Sequence, residues 1–313
     1  MYQGVSTGLN YYKIITMQNI KPQLDGVYRM IRPERPIPVV YDSPHSGRTY
    51  PADFDYACDE ALMRRAEDNI VDELLDRAPE YGIPLLCADF PRTYIDVNRA
   101  PDDIEPDILC EPWPTPLNPT DRADAGIGLI RRLIKPGIHV YNRKLDVNEI
   151  RHRIEKYYEP YHTSLSALLG DVAIAHGVLW HINWHSMPSL GAIAPFPHTT
   201  RRVGNGQADF VLGDRNGTSC DSVFTHEVRD FFRNLGYAVA INTPYKGVEI
   251  VRRYGNPAKG RNSLQIEINK GLYWDERKSS KNRNFSQLKG DIDRFSQWLA
   301  NHAREHSRPM AAD

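Results

Sequence analysis

His45 and His185 each close a short apolar run. Residues 37–41 lead into Asp42-Ser43-Pro44-His45-Ser46-Gly47, and residues 178–184 lead into His185-Ser186. Glu267 stands in a third such run, between Ile266 and Ile268. Two imidazoles and a carboxylate meeting at strand ends have the composition of a catalytic zinc site, in which three protein ligands leave a fourth position for water. A single histidine after a strand is more often a hydrogen-bonded loop residue, so it is the joint placement of His45 and His185 that points to a metal. An ionised Glu267 is costly in an apolar run unless it has a partner. A metal-bound water or a nearby arginine would serve, and the sequence leaves both open.

Arg92 and Arg99 bracket the block that ends Asp96-Val97-Asn98-Arg99, and their planar, permanently charged heads suit a carboxylate clamp or an oxyanion. Between Tyr245 and Asn262, the cations Lys246, Arg252, Arg253, Lys259 and Arg261 face the single acid Glu249. That run forms either a local anion site or a solvated loop. Other chemistries lack their motifs: the chain has no G-x-S-x-G elbow, no phosphate-binding G-x-x-x-x-G-K-[ST] loop and no H-E-x-x-H helix. Residues 201–206 end in glycines without the G-x-G-x-x-G spacing of a dinucleotide site.

These residues need a scaffold that gathers strand ends. Apolar runs at 37–41, 83–88, 93–97, 178–184, 237–241 and 264–268 read as buried strands. Helical periodicity at about 60–78, 149–175, 222–235 and 285–302 falls between and after them. Strands alternating with helices predict an α/β fold, a three-layer αβα domain with a mixed, largely parallel central sheet, whose ligands bind at the carboxyl ends of the strands. The domain is expected over residues 36–313, with residues 1–35 as an N-terminal extension or cap. The proline-rich stretch 101–119 reads as a long surface loop.

Composition excludes several classes. The 39 basic residues balance 40 acidic ones, so nothing suggests a nucleic-acid or membrane partner, and any anion site must be local. Four separated cysteines form no C-x-x-C pair and are expected as free thiols. No signal-like segment or apolar run of about 18 residues appears, which predicts a cytoplasmic protein.

Together the motifs resemble the N-formylglutamate amidohydrolase (deformylase) family. The resemblance rests on S-P-H-S-G at 43–47, Glu67-Asp68, the block from Arg92 to Arg99, W-H-S-M at 184–187 and L-G-D-R-N-G-T-S-C-D at 212–221. It continues in Y-K-G at 245–247, R-R-Y-G-N-P at 252–257 and Q-I-E-I-N at 265–269. The family is similar to zinc carboxypeptidases and aspartoacylase, which implies a mixed eight-stranded sheet. The resemblance implies one Zn2+ held by His45, Asp68 and His185, with Glu267 as general base and acid and Arg92 at the oxyanion. It further implies that Asn98 and Arg99 clamp one substrate carboxylate, and Lys246 with Arg252 or Arg253 is expected to take the other. The substrate would be a small anionic N-acyl amino acid, N-formyl-L-glutamate, cut to formate and glutamate as in histidine breakdown. Alternatives are a deacylase of another N-acyl amino acid, a small peptidase, or a metal-free anion-binding module.

Two positions depart from the patterns of these families. Carboxypeptidase-type sites carry a glutamate three residues after the first histidine, where this chain has Arg48. The carboxylate must therefore come from elsewhere, and the resemblance implies Asp68; Glu67 is its competitor, because on a helical wheel Glu67 falls inside the apolar arc that Asp68 only borders. The second departure is Asn183, where the family usually has an aspartate, and an amide behind a ligand histidine is expected to lower its basicity or shift substrate preference.

Overall fold

A computed structural model describes residues 21–189 and 207–307. The segment 201–206, read above for its glycines, lies outside them, as do residues 1–20. Eight strands form the central sheet: β1 (Gln23–Leu24), β2 (Tyr28–Ile31), β3 (Val39–Ser43), β4 (Leu85–Ala88), β5 (Leu179–Met187), β6 (Phe210–Gly213), β7 (Val239–Ile241) and β8 (Arg261–Asn269). Their order across the sheet is β1-β2-β4-β3-β5-β8-β6-β7. The central strands β4, β3, β5 and β8 run parallel, and β6 runs antiparallel to β8. The sheet is thus mixed and largely parallel, as the alternation of strands and helices predicts.

Four helices matter most for the layers: α1 (Glu159–His176), α2 (Ser222–Asn234), α3 (Glu249–Tyr254) and α4 (Phe285–His306). Side chains of α2 and α4 pack with Trp180, Ile182, Trp184, Leu264 and Ile266 on one face of the sheet. Tyr161, Leu165 and Leu168 of α1 pack with Val40, Leu86 and Leu179 on the other. Local chemistry sets the helix ends. Asp221 caps α2 by accepting from the Val223 amide, and Gly177 ends α1 in the left-handed conformation that only glycine adopts freely.

Some elements differ from expectation. The run 93–97 is not a strand: the Asp96 carboxylate accepts from the Asn98 amide and the Asp96 amide donates to Leu129 O, which bends the chain into turns. The helix expected over 60–78 breaks into Glu60–Met63, a 3-10 turn Arg64–Ala66 and Val71–Leu74, with Ile70 left-handed at φ 51. Glu67 and Asp68 therefore lie on an irregular link where a helical wheel does not apply. β6 arises where no apolar run was singled out. β1 and β2, within the segment expected as an extension, pair with each other and with β4 at the sheet edge.

The loop after β3 must pass close to the backbone at Asp89 and Phe90. A Cβ on Gly47 would lie 2.1 Å from Phe90 O. Gly47→Ala is expected to force this contact apart and to destabilise the fold by about 1–3 kcal/mol. Thermal unfolding reads the effect, and an unchanged midpoint would mean the two segments can separate without cost.

Candidate metal centre

Register brings the site together. On β5 the aromatic and aliphatic residues 180, 182 and 184 face one layer, which leaves His181, Asn183 and His185 on the opposite face. Parallel pairing sets His185 beside Glu267, Asn183 beside Gln265 and His181 beside Ser263. β3 sets Asp42 beside Asn183. The result is a buried polar patch near the carboxyl ends of parallel strands, where open α/β sheets bind ligands.

His45, Asp68 and His185 are all buried, and one ligand atom from each lies within 4.8 Å of the others. The hydrogen bonds behind the histidines fix which nitrogen is offered. His45 Nε2 donates to Asp96 Oδ1 at 2.7 Å, leaving Nδ1 buried, without a hydrogen-bond partner and 3.4 Å from Asp68 Oδ2. His185 Nε2 lies 2.7 Å from Asn183 Oδ1. The Asn183 amide is oriented by donating its Nδ2 to Asp42 Oδ1 at 2.8 Å, so Nε2 of His185 carries the proton. His185 Nδ1, 3.0 Å from Asp68 Oδ2, keeps its lone pair. Two imidazole lone pairs aimed at one carboxylate repel unless a cation lies among them. This donor set, with an acceptor behind each imidazole, fits a divalent metal of the zinc type.

Asp42 and Asp96 stand directly behind the cluster, and sequence reading gave neither a role. Asp42 is fully buried and accepts from His181, Asn183 and Tyr161. Burial alone would raise its carboxyl, but these donors hold it below its ordinary value. An acid at the end of a buried strand was the available signal. The amide at Asn183 now has a physical reason, since the negative charge stands one hydrogen bond further back, on Asp42. Asn183→Asp would set two buried carboxylates at hydrogen-bond distance, able to share only one proton. We expect that variant to lose roughly 3–5 kcal/mol of stability at pH 8. A carboxyl whose folded pKa is raised loses stability as pH rises, so the loss should shrink toward pH 5. Thermal unfolding across that range would expose the error if the deficit were flat with pH.

Burial also opposes ionisation of Asp96, yet Arg92, His45 and Arg99 hold its carboxyl well below the usual range. Arg92 donates from Nε and Nη2 to Asp96 Oδ2 at 3.2 and 2.8 Å, and its Nη1 lies 3.6 Å from Asp68 Oδ1. Asp68 is likewise lowered despite burial, chiefly by the imidazoles of His185 and His45 beside it and then by Arg92. Glu267 accepts from Gln265 Nε2 at 2.8 Å, and burial raises its carboxyl against the opposing pull of His185. Glu67 turns away to accept from Tyr50 at 2.5 Å, and burial pushes it up to about 7. Arg48 pairs with Glu73 at 3.2 Å, outside the cluster.

A cavity of about 280 Å³ opens over these groups, lined by His45, Asp68, His185, Glu267, Arg92, Asn98 and Arg99. Arg65, Arg122, Arg131, Ser186, Tyr245 and Lys270 add to its polar lining, so six cations face two carboxylates. Lys246, Arg252 and Arg253 do not line it. Arg252 pairs with Glu249, and Arg253 lies over the Tyr254 ring. Asn98 Nδ2 lies 3.2 Å from His185 Nε2, and Asn98 Oδ1 accepts from the Ile250 amide at 2.9 Å. Arg99 is buried, with Nε and Nη1 donated to the backbone oxygens of Ile127 and Asn98. Behind this loop, Tyr158 donates to Arg99 O and His162 Nε2 to Val97 O, so α1 and the turn before it hold it in place. All four cysteines are free, and no described helix is long and apolar enough to cross a membrane.

The chain is similar to known proteins over most of its length. The model of the N-formylglutamate amidohydrolase family matches residues 37–274. An N-formylglutamate deformylase of Pseudomonas putida is 28% identical over 246 residues, 77% of this chain and 83% of the relative. One from Pseudomonas aeruginosa is 27% identical over the same shares. The crystal structure of an N-formylglutamate amidohydrolase from Ralstonia eutropha superposes with a TM-score of 0.84 at 41% identity, covering 90% of this chain and 99% of that one.

Proposed function

Because the chain belongs to the N-formylglutamate amidohydrolase family, we propose that it hydrolyses the formyl amide of N-formyl-L-glutamate, releasing formate and L-glutamate. The observation that carries the metal-dependent form of this reading is the buried, unpartnered His45 Nδ1, converging with His185 Nδ1 on Asp68. His45, Asp68 and His185 would hold one divalent metal, zinc being the ion this ligand set suits. When bound, such an ion supplies Lewis-acid polarisation of the scissile carbonyl and of a water.

The chain's own groups supply the rest. Glu267 takes the proton of the attacking water on its carboxylate and returns it to the amide nitrogen, so that the C–N bond breaks with a neutral amine leaving. Its raised proton affinity, set by burial, suits both halves of that transfer. Arg92, anchored by Asp96, presents Nη1 to the negative charge that grows on the carbonyl oxygen. Asn98 stands beside His185, and Arg99, with Nε and Nη1 committed to the backbone, would offer Nη2, 4.0 Å from Asp96 Oδ2, to a substrate carboxylate. Lys246, Arg252 and Arg253 are given no substrate contact in this scheme.

The test is formate release from N-formyl-L-glutamate by purified protein, before and after chelation, with N-acetyl-L-glutamate beside it. The expected result is chelator-sensitive formate release restored by Zn2+, with little acetate. Metal-replete protein that yields no formate would overturn the substrate, and chelator-resistant turnover would overturn the metal.

A further inference from the structure

Three of the six cations lining the cavity are already engaged, and two more, Arg65 and Arg122, are not buried. Arg92 is held by Asp96, Arg99 by two backbone oxygens, and Lys270 Nζ by the backbone oxygens of Arg65 and Glu67. Arg131 differs: it is only 8% exposed, and among the described residues its guanidinium makes no ion pair. Its Nε is buried and has no hydrogen-bond partner. Burial, and next the Arg92 guanidinium, push it down to about 9 against the more distant pull of Asp96 and Asp68. Leaving such a group unpaired in a folded interior costs free energy that an anion entering the cavity would remove.

Position selects which anion. Arg99 Nη2 lies 4.0 Å from Asp96 Oδ2, the carboxylate that also holds His45 and Arg92, which puts it on the side of the reacting amide. The α-carboxylate, one carbon from the amide nitrogen, belongs there. Arg131 comes from a separate segment, and Ile127 and Ile134 line the cavity with it. An apolar flank beside a buried guanidinium matches two methylenes ending in a carboxylate. We propose that Arg131 is the receptor for the substrate's side-chain carboxylate, and that it makes the site selective for N-acyl amino acids with an acidic side chain. This rests on the amidohydrolase reading above.

The experiment compares N-formyl-L-glutamate, N-formyl-L-glutamine and N-formyl-L-isoglutamine in wild type, Arg131→Met and Arg131→Lys, each checked for native thermal unfolding. Wild type should prefer the glutamate over the glutamine substrate by roughly 10–100-fold in kcat/KM, the range for charge-assisted hydrogen bonds. In Arg131→Met that preference should fall to near unity, Arg131→Lys should recover part of it, and discrimination against the α-amide, isoglutamine, should persist. Equal losses on all three substrates, an unchanged preference, or loss of the α-amide discrimination instead would each overturn the assignment. Should wild type release no formate at all, the reaction fails separately, and calorimetric binding of L-glutamate against L-glutamine still tests Arg131. A glutamate preference that vanishes in Arg131→Met upholds the receptor, and its absence in wild type or its survival in the variant rejects it.

Discussion

Glu267→Gln should lower kcat for formate release by about 10²–10⁴-fold while the protein still takes up one metal per chain. The substitution keeps the volume and the hydrogen-bonding partner, since Gln265 Nε2 can still donate to the amide oxygen. It removes only the capacity to accept and return a proton. The KM should change little, because Glu267 is asked to act on the reacting atoms and not to hold the substrate. Parallel metal analysis and steady-state kinetics check this. A variant that retained a third or more of the wild-type kcat would remove Glu267 from the reaction and reopen its role as a buried partner for the nearby arginines.

His185→Ala should abolish both metal retention through dialysis and measurable turnover. It deletes one of three converging donors and leaves Asn183 Oδ1 and Asp68 facing an empty volume. A folding readout separates metal loss from collapse. For a ligand that binds only the native state, saturation at 100 times its Kd stabilises by about 2.7 kcal/mol. Wild type should therefore unfold at a clearly higher temperature with Zn2+ than after chelation, and His185→Ala should unfold at the same temperature in both. An equal Zn2+-induced shift in the variant would place the metal elsewhere.

Much of this arrangement could be read from the chain because the strands that carry His185 and Glu267 are continuous buried runs, and their polar interruptions fall at fixed alternation. His45, His185, Glu267 and the Asp96–Arg99 block all reach the cavity wall or the hydrogen bonds directly behind it. What stayed hidden are pairings between distant segments. Asp96 lies 51 residues from His45, and Asp42 lies 139 from His181, so no local pattern links them. The cluster of Lys246, Arg252 and Arg253 looked like an anion site because charge density is visible in sequence, whereas the direction of each side chain is not. Arg131 was invisible for the converse reason, since it stands beside Arg132 between Leu129-Ile130 and Leu133-Ile134, where nothing local says which arginine turns inward. The broken helix around Ile70 follows from a link that must deliver Asp68 to the site, and periodicity cannot signal that demand.

The alternation along β5 has a consequence for how the chain acquires its fold. A slip of one residue against β3 would turn Trp180, Ile182 and Trp184 toward Asp42 and push His181, Asn183 and His185 into the aromatic layer around Phe295. Each polar group so misplaced would forfeit its partners at roughly 1–3 kcal/mol. Wrong alignments of the central strands are thus rejected during folding by the same groups that later serve the reaction. Two demands, one kinetic and one chemical, bear on the same few positions, which leaves them with less freedom to vary than either demand alone would impose.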